Sequence, residues 1–151
     1  MRVFYLGLLL LVFLSSCKKQ KEDSSANTGN NCEISMTSVA SRYKMTKLEY
    51  VSYNTGAAQD MTSLLSSCDL SGVYVFRTDS TATYFEAANC TGSSGDGSWK
   101  LEGTWLLTDF NTGNGYKVGL TTVESYDCKH LVVITRFPSV EYNYRYTLTR
   151  F

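Results

Sequence analysis

The chain has 151 residues, with 14 Lys and Arg against 14 Asp and Glu, one histidine and five cysteines. Its formal net charge of zero leaves no basic stripe for nucleic acid. A single histidine among widely spaced cysteines offers neither a zinc ligand set nor a Cys–His or Ser–His catalytic pair, so no metal, no cofactor and no enzyme are expected.

Met1-Arg2 opens the chain with a positive charge, and Phe4 to Leu14 is an apolar run of eleven residues. A spanning helix needs about 20 such residues, so the run reads as a signal peptide over 1–16. It ends in Leu14-Ser15-Ser16-Cys17, which resembles the lipobox of bacterial lipoproteins. That resemblance implies lipidation of Cys17, a membrane partner through that N-terminal anchor, and a place in the cell envelope. Lys18 stands where an aspartate would favour the inner membrane, so the outer membrane is expected, facing periplasm or exterior. Residues 18–31 contain no aromatic or branched aliphatic side chain. They cannot offset their ordering entropy by burial and read as a flexible tether of about 20 Å reach.

The remaining segment, 32–151, carries 10 Lys and Arg and 12 Asp and Glu, and has room for one domain with one core. It is rich in Tyr, Thr, Val and Phe, and Gly, Asn and Asp punctuate it, which favours strands between turns. The first strand runs from Tyr43 to Tyr53, although polar and apolar residues do not separate between its faces. In 57–71, Ala57, Ala58, Met61, Leu64 and Leu65 are near helical spacing, and a helix of one or two turns is expected with Asp60 as its cap. Residues 72–77 and 81–87 form a hairpin about Thr78-Asp79-Ser80. A glycine-rich loop over 92–97 precedes strands at Ser98–Leu101 and Thr104–Thr108. No lysine and helix follow these glycines, so they are a loop rather than a phosphate cradle. Strands at Tyr116–Val123 and Leu131–Phe137 come next. The last strand alternates Tyr142, Tyr144, Tyr146 and Leu148 with Asn143, Arg145, Thr147 and Thr149, a clear period of two. Eight strands result, compatible with an up-and-down barrel or a two-sheet sandwich.

An exported chain is disulfide-permissive, and Cys32, Cys68, Cys90 and Cys128 are an even set. Folding the hairpin about Asp79 places Tyr74 opposite Tyr84 and extends to Cys68 opposite Cys90. Cys68–Cys90 is therefore expected and, by elimination, Cys32–Cys128.

Several stretches together resemble the lipocalin-like domains of bacterial envelope lipoproteins: Cys68-Asp69 leading into Val73-Tyr74-Val75-Phe76, Asp79-Ser80-Thr81, Gly97-Ser98-Trp99-Lys100-Leu101-Glu102-Gly103 and Tyr146-Thr147-Leu148-Thr149-Arg150. The resemblance covers about residues 40–151. It implies an all-β fold of one domain: a small eight-stranded antiparallel barrel, closed or half-open. The first strand departs from the pattern, with Arg42-Tyr43 near the place of the usual Gly-x-Trp.

Eight-stranded barrels are either filled or hold one small ligand. Tyr74, Phe76 and Tyr84 share one hairpin face; Val73, Val75, Thr83 and Phe85 share the other, and alternation leaves open which is interior. With the tyrosines inward, Tyr74, Phe76, Tyr84, Tyr142, Tyr144 and Tyr146 would line a pocket for a small hydrophobic or amphipathic molecule. With Trp99, Trp105 and Phe85 inside, the barrel would be full, and an envelope protein would be the partner. Glu86, Glu102 and Asp109 are the acids a hydrolase could use, but no spacing pairs them.

Overall fold

Alternating runs of β-branched and aromatic residues build nine antiparallel strands in a computed structural model of the protein. The structure describes residues 32–90, 94–112, 115–137 and 141–151. The expected signal peptide, Cys17 and the tether lie outside the described residues, as do parts of the loops at 91–93, 113–114 and 138–140. The strands are β1 (Arg42–Ser52), β2 (Ala58–Asp60), β3 (Val73–Phe76), β4 (Thr81–Phe85), β5 (Gly95–Glu102), β6 (Trp105–Thr112), β7 (Gly115–Tyr126), β8 (His130–Thr135) and β9 (Tyr142–Arg150). Two short helices, α1 (Met36–Val39) and α2 (Ser67–Ser71), complete the fold.

The strands form one sheet in a ring, because β1 meets both ends of the chain order. One edge of β1 pairs with β9 from Tyr43↔Arg150 to Ser52↔Tyr142. Its other edge is divided: Arg42–Lys44 pair with β3, and Glu49–Val51 pair with β2. The helix expected within 57–71 is thus partly replaced by a strand. Short β3 leaves the upper edge of β1 without backbone partners, and unpaired buried N–H and C=O groups are costly. Ala58–Asp60 fills that edge, which makes nine strands rather than eight. Asp60 still caps a turn, accepting from the Thr62 N–H at 2.8 Å ahead of a 3₁₀ turn at Thr62–Leu64.

Two bulges set which side chains face the interior. Thr46 is the extra residue between Met45↔Leu148 and Lys47↔Thr147. Tyr43 and Met45 therefore share the inner face with Leu48 and Tyr50, not with Lys47 and Glu49. A one-residue insertion inverts the alternation after it, so no single period fits this strand. The second bulge, between Val123 and Ser125, brings Tyr126 to the same side as Val123.

The core follows this inner face: Tyr43, Phe76, Ala82, Tyr84, Trp99, Leu106, Phe110, Val123, Leu131, Val133 and Leu148 are buried together. Leu131 is fully enclosed, a burial worth about 1.5–3 kcal/mol. The hairpin register Tyr74↔Tyr84 is as expected from its turn, where Asp79 Oδ1 accepts from the Thr81 N–H at 3.0 Å. Trp99 points inward, whereas Trp105 is 48 % exposed and Phe85 lies half-buried on the outer face. The expectation that all three fill the interior fails for the last two, whose positions in their strands have outward parity.

The strand ends define two rims. At the near rim lie the starts of β1 and β8 and the ends of β7 and β9; at the far rim lie the starts of β3, β7 and β9. Cys32–Cys128 ties the near rim and Cys68–Cys90 the far one, with Cα separations of 5.4 and 5.7 Å. The second pair does not extend the strand register: Cys68 is in α2 and Cys90 in a turn. The described sheet, its core cluster and both disulfides lie within 32–151.

Gly97 allows the closest backbone approach. A β-carbon there would stand 1.8 Å from the Asp109 carbonyl oxygen of the neighbouring strand. Gly97→Ala should cost about 3 kcal/mol by forcing β5 and β6 apart, read as a lower urea midpoint. Chain-entropy scaling gives the disulfides different weights, since they close separations of 96 and 22 residues. Paired Cys→Ser replacement should cost about 4.7 kcal/mol at Cys32–Cys128 and about 3.4 at Cys68–Cys90. Equilibrium denaturation checks the order, and a larger loss at the shorter loop would contradict the scaling.

Candidate functional site

The near rim is packed with buried groups. Ser35 caps α1 through a reciprocal bond with Ser38, which places Val39 fully inside the core. The Tyr43 hydroxyl donates to the Val39 carbonyl at 2.8 Å, and the Tyr126 hydroxyl donates to that of Ser38. Burial and the Tyr126 hydroxyl beside it both push the Tyr43 phenol well above its ordinary pKa, so it stays a neutral donor. Below the helix, Trp99 Nε1–H donates to the Arg77 carbonyl at 2.7 Å. These bonds satisfy the polar ends of the large buried rings that pack this rim.

Cys128 is held there by an acidic turn. Its φ of 73° is left-handed, and Asp127 stabilises the turn by accepting from the Lys129 N–H at 2.9 Å and from the His130 N–H. Asp127 Oδ2 also lies 2.9 Å from His130 Nδ1.

Above Trp99 the interior opens into a cavity of about 250 Å³. Its apolar wall comes from Met45 on β1, Phe76 on β3, Leu106 and Phe110 on β6, Val133 on β8 and Leu148 on β9. Its polar groups are the hydroxyls of Tyr74, Thr108, Thr121 and Tyr146. Thr121 Oγ1 donates to the Leu106 carbonyl at 3.3 Å. Tyr74 and Tyr146 have no hydrogen-bond partner among the described residues. Burial pushes the Tyr74 phenol up to about 12, with Tyr146, Asp69 and Glu86 adding to the rise. Tyr146 is raised too, first by burial and then by Tyr144 and Tyr50. Both phenols are therefore neutral over the physiological range.

Of the six residues expected to line a pocket, Tyr74, Phe76 and Tyr146 do so. Tyr84 stands behind Tyr74, with ring centroids 4.8 Å apart, and its hydroxyl donates to Glu86 at 2.9 Å. Gly72, at the end of α2, leaves room for that ring: a β-carbon there would lie 2.7 Å from the Tyr84 hydroxyl. Tyr144 and Tyr142 lie farther out on the same face of β9. Tyr144 meets Tyr50 edge-on at 4.8 Å and Phe137 at 5.5 Å, while Tyr142 is 41 % exposed. Together with Tyr50 they make an aromatic far rim. Tyr50 was hidden by the bulge in β1, and Thr108 and Thr121 by their polar composition. Glu86, Glu102 and Asp109 are not brought together: Glu102 pairs with Lys100 on the outer surface, and Asp109 faces outward on β6. Against protein families, curated proteins and solved structures, the chain finds no match.

The Asp127 turn carries a pH signature. Its side-chain bond to His130, then the backbone donors of His130 and Lys129, hold the carboxyl down to about 2, below the ordinary 3.8. Its stabilisation is complete above the ordinary value and is lost as pH falls through about 2. Asp127→Asn should therefore melt below the parent at neutral pH, and the gap should close between about pH 4 and 2. Thermal melts across that range test it; a constant gap would remove the carboxylate as its cause.

Proposed function

We propose that the protein is a membrane-anchored, lipocalin-like envelope lipoprotein that binds a small hydrophobic or amphipathic molecule without transforming it. In this reading β1 and β3–β9 are an eight-stranded up-and-down barrel, and β2 is a splint on its first strand. The observation that supports it best is the cavity of about 250 Å³, apolar in most of its wall and furnished with phenol and threonine hydroxyls. An apolar chamber with a few polar groups is the usual form of a small-molecule site. The packed near rim sends ligand exchange through the aromatic far rim. Because Cys32 is fixed at the near rim, a lipid on Cys17 anchors the barrel with its entrance pointing away from the attachment point. The outer membrane suits Lys18 after the lipobox.

Exposed apolar side chains favour a second reading, a protein-interaction module. Trp105 is 48 % exposed beside Leu107 on the outer face of β6, outside the ring that encloses the cavity. A filled interior is the requirement of that reading.

Oxidised residues 18–151, exported without the anchor, should release a stoichiometric hydrophobic passenger on solvent extraction, or take one up from a lipid panel, by native mass spectrometry. Thr108→Phe fills the chamber from β6 and should reduce uptake about tenfold or more with the melt retained. A clean mass with no uptake, together with a stable protein complex lost on Trp105→Ala, would transfer support to the second reading.

A further inference from the structure

The chain enters the domain beside a group of exposed cations. Cys32, the first described residue, is bonded to Cys128 at the near rim. Lys129 follows that cysteine in the turn before β8 and is exposed. Arg150, exposed at the end of β9, brings its Nη1 to 3.5 Å from the Cys128 carbonyl oxygen, and its Nε donates to Ser41 Oγ at 2.6 Å. Arg42 and Lys44 stand exposed on the outer face at the start of β1. Both lie over the ring of Phe151, 5.2 and 5.1 Å from its centroid, and that residue is 59 % exposed. The Phe151 N–H donates to the Arg42 carbonyl at 3.3 Å, which fixes the backbone beside these two cations.

Arg42, Lys44, Lys129 and Arg150 form no salt bridge with a described residue. The acid among them, Asp127, is already engaged by His130 and the Lys129 N–H. Other cations of the barrel are matched: Lys47 pairs with Glu49, Lys100 with Glu102, and Arg145 with Glu124 and Glu49. The far end has the opposite sign. Asp60, Asp69, Glu86 and Glu141 lie towards it, against Arg136 and, by register, Lys117. A nearly neutral domain therefore carries its charge as a dipole along the barrel, positive where the chain enters.

We infer that the arc of Arg42, Lys44, Lys129 and Arg150, with the Phe151 ring among them, docks on the anionic head groups of the bilayer that holds the Cys17 anchor. Residues 18–31 alone separate Cys17 from Cys32, a length whose reach as a flexible chain is about 20 Å. Docking is then an intramolecular step, so the weak attraction of a few cations is enough. Lysine and arginine meet the phosphates, and an exposed ring beside them suits the boundary between head groups and acyl chains. An acidic protein would satisfy the same charges, but the tether brings the arc to lipid. This rests on the anchored reading above and adds an orientation to it: the barrel stands on its near rim, with the chamber directed away from the membrane.

The test uses the full chain, expressed in bacteria, extracted in detergent and reconstituted into phosphatidylcholine vesicles with or without phosphatidylglycerol. Phe151→Trp places a fluorescent reporter in the arc and keeps an aromatic face under the two cations. Brominated acyl chains should quench the added emission about threefold more in the anionic vesicles than in the neutral ones, and high salt should abolish the difference. In that background Lys44→Gln and Lys129→Gln should each weaken docking about fivefold with the melt retained, whereas Arg136→Gln, towards the far rim, should leave it unchanged. Equal quenching in both vesicles at both salt concentrations overturns the docking and leaves the anchor in place. An equal loss in Arg136→Gln overturns the role of the arc. Quenching confined to native envelope vesicles and absent from phospholipid overturns lipid as the occupant in favour of an acidic protein. A Cys17 peptide whose mass shows no acyl group removes the anchored reading, and the docking with it.

Discussion

Everything in this molecule depends on the divided edge of β1. A sheet that closes on itself needs one strand to meet both the second strand of the circuit and the last. Here β9 takes one edge of β1 over almost its full length. The other edge is shared between β3 near one rim and β2 near the other. Without β2, the upper half of β1 would present unpaired donors and acceptors, a template for pairing with foreign strands. The three-residue strand pairs the part of β1's edge that β3 does not reach, on the side away from β9. It also delivers the chain into Thr62, whose hydroxyl accepts from the Leu48 N–H at 3.1 Å, and then into α2 above Tyr84. The far rim is thus built from the same segment that satisfies the edge.

The two rims differ because different things are fixed to them. At the near rim, α1 turns buried tyrosine hydroxyls into internal hydrogen bonds, and a disulfide holds the approach to that helix in place. At the far rim the aromatic rings pack on one another instead, and Tyr142 and Phe137 remain partly exposed. On the outside of the same strands, Arg145 binds Glu124 at 2.5 Å and lies 3.7 Å from Glu49. Exposed pairs of this kind contribute at most about 1 kcal/mol each. The dense packing of the near rim therefore comes from where tyrosines find partners, not from surface charge.

How much of this could be read from the chain depends on whether local periodicity survived. The hairpin about Asp79 and the last strand keep a strict period of two, and the hairpin register follows from its turn, whereas alternation left open that the tyrosine face is the inner one. Both disulfide pairings were also accessible, the first through the hairpin and the second by elimination, although α2 and not a strand carries Cys68. The bulges at Thr46 and after Val123 were not accessible, because an inserted residue looks the same as poor amphipathicity. Strand β2 was missed for another reason. Its residues are all exposed, so it bears no hydrophobic pattern, and only the unpaired edge of β1 requires it. Likewise α1, four residues long, has a capping serine but too little length for a period to declare itself.

The chamber itself is a consequence of small residues in consecutive strands. On the inner face, Ala82 is opposite Gly97, and Thr108 is opposite Gly119. Gly97 lets β6 approach closely, which carries Phe110 alongside Tyr84 at 6.2 Å, while Gly119 receives the Thr108 side chain. Large rings from β3 and β9 then face Thr108 of β6 and Gly119 and Thr121 of β7, and volume remains between them. A ring of eight or nine strands whose inner positions were all Leu or Phe would have no such space, since interiors pack to the density of organic crystals. Threonine at two of these places does more than spare volume, because its hydroxyl adds polarity to a wall that would otherwise be hydrocarbon. The composition that obscures these strands in the sequence, small and polar where apolar bulk is expected, is the composition that makes room inside the sheet.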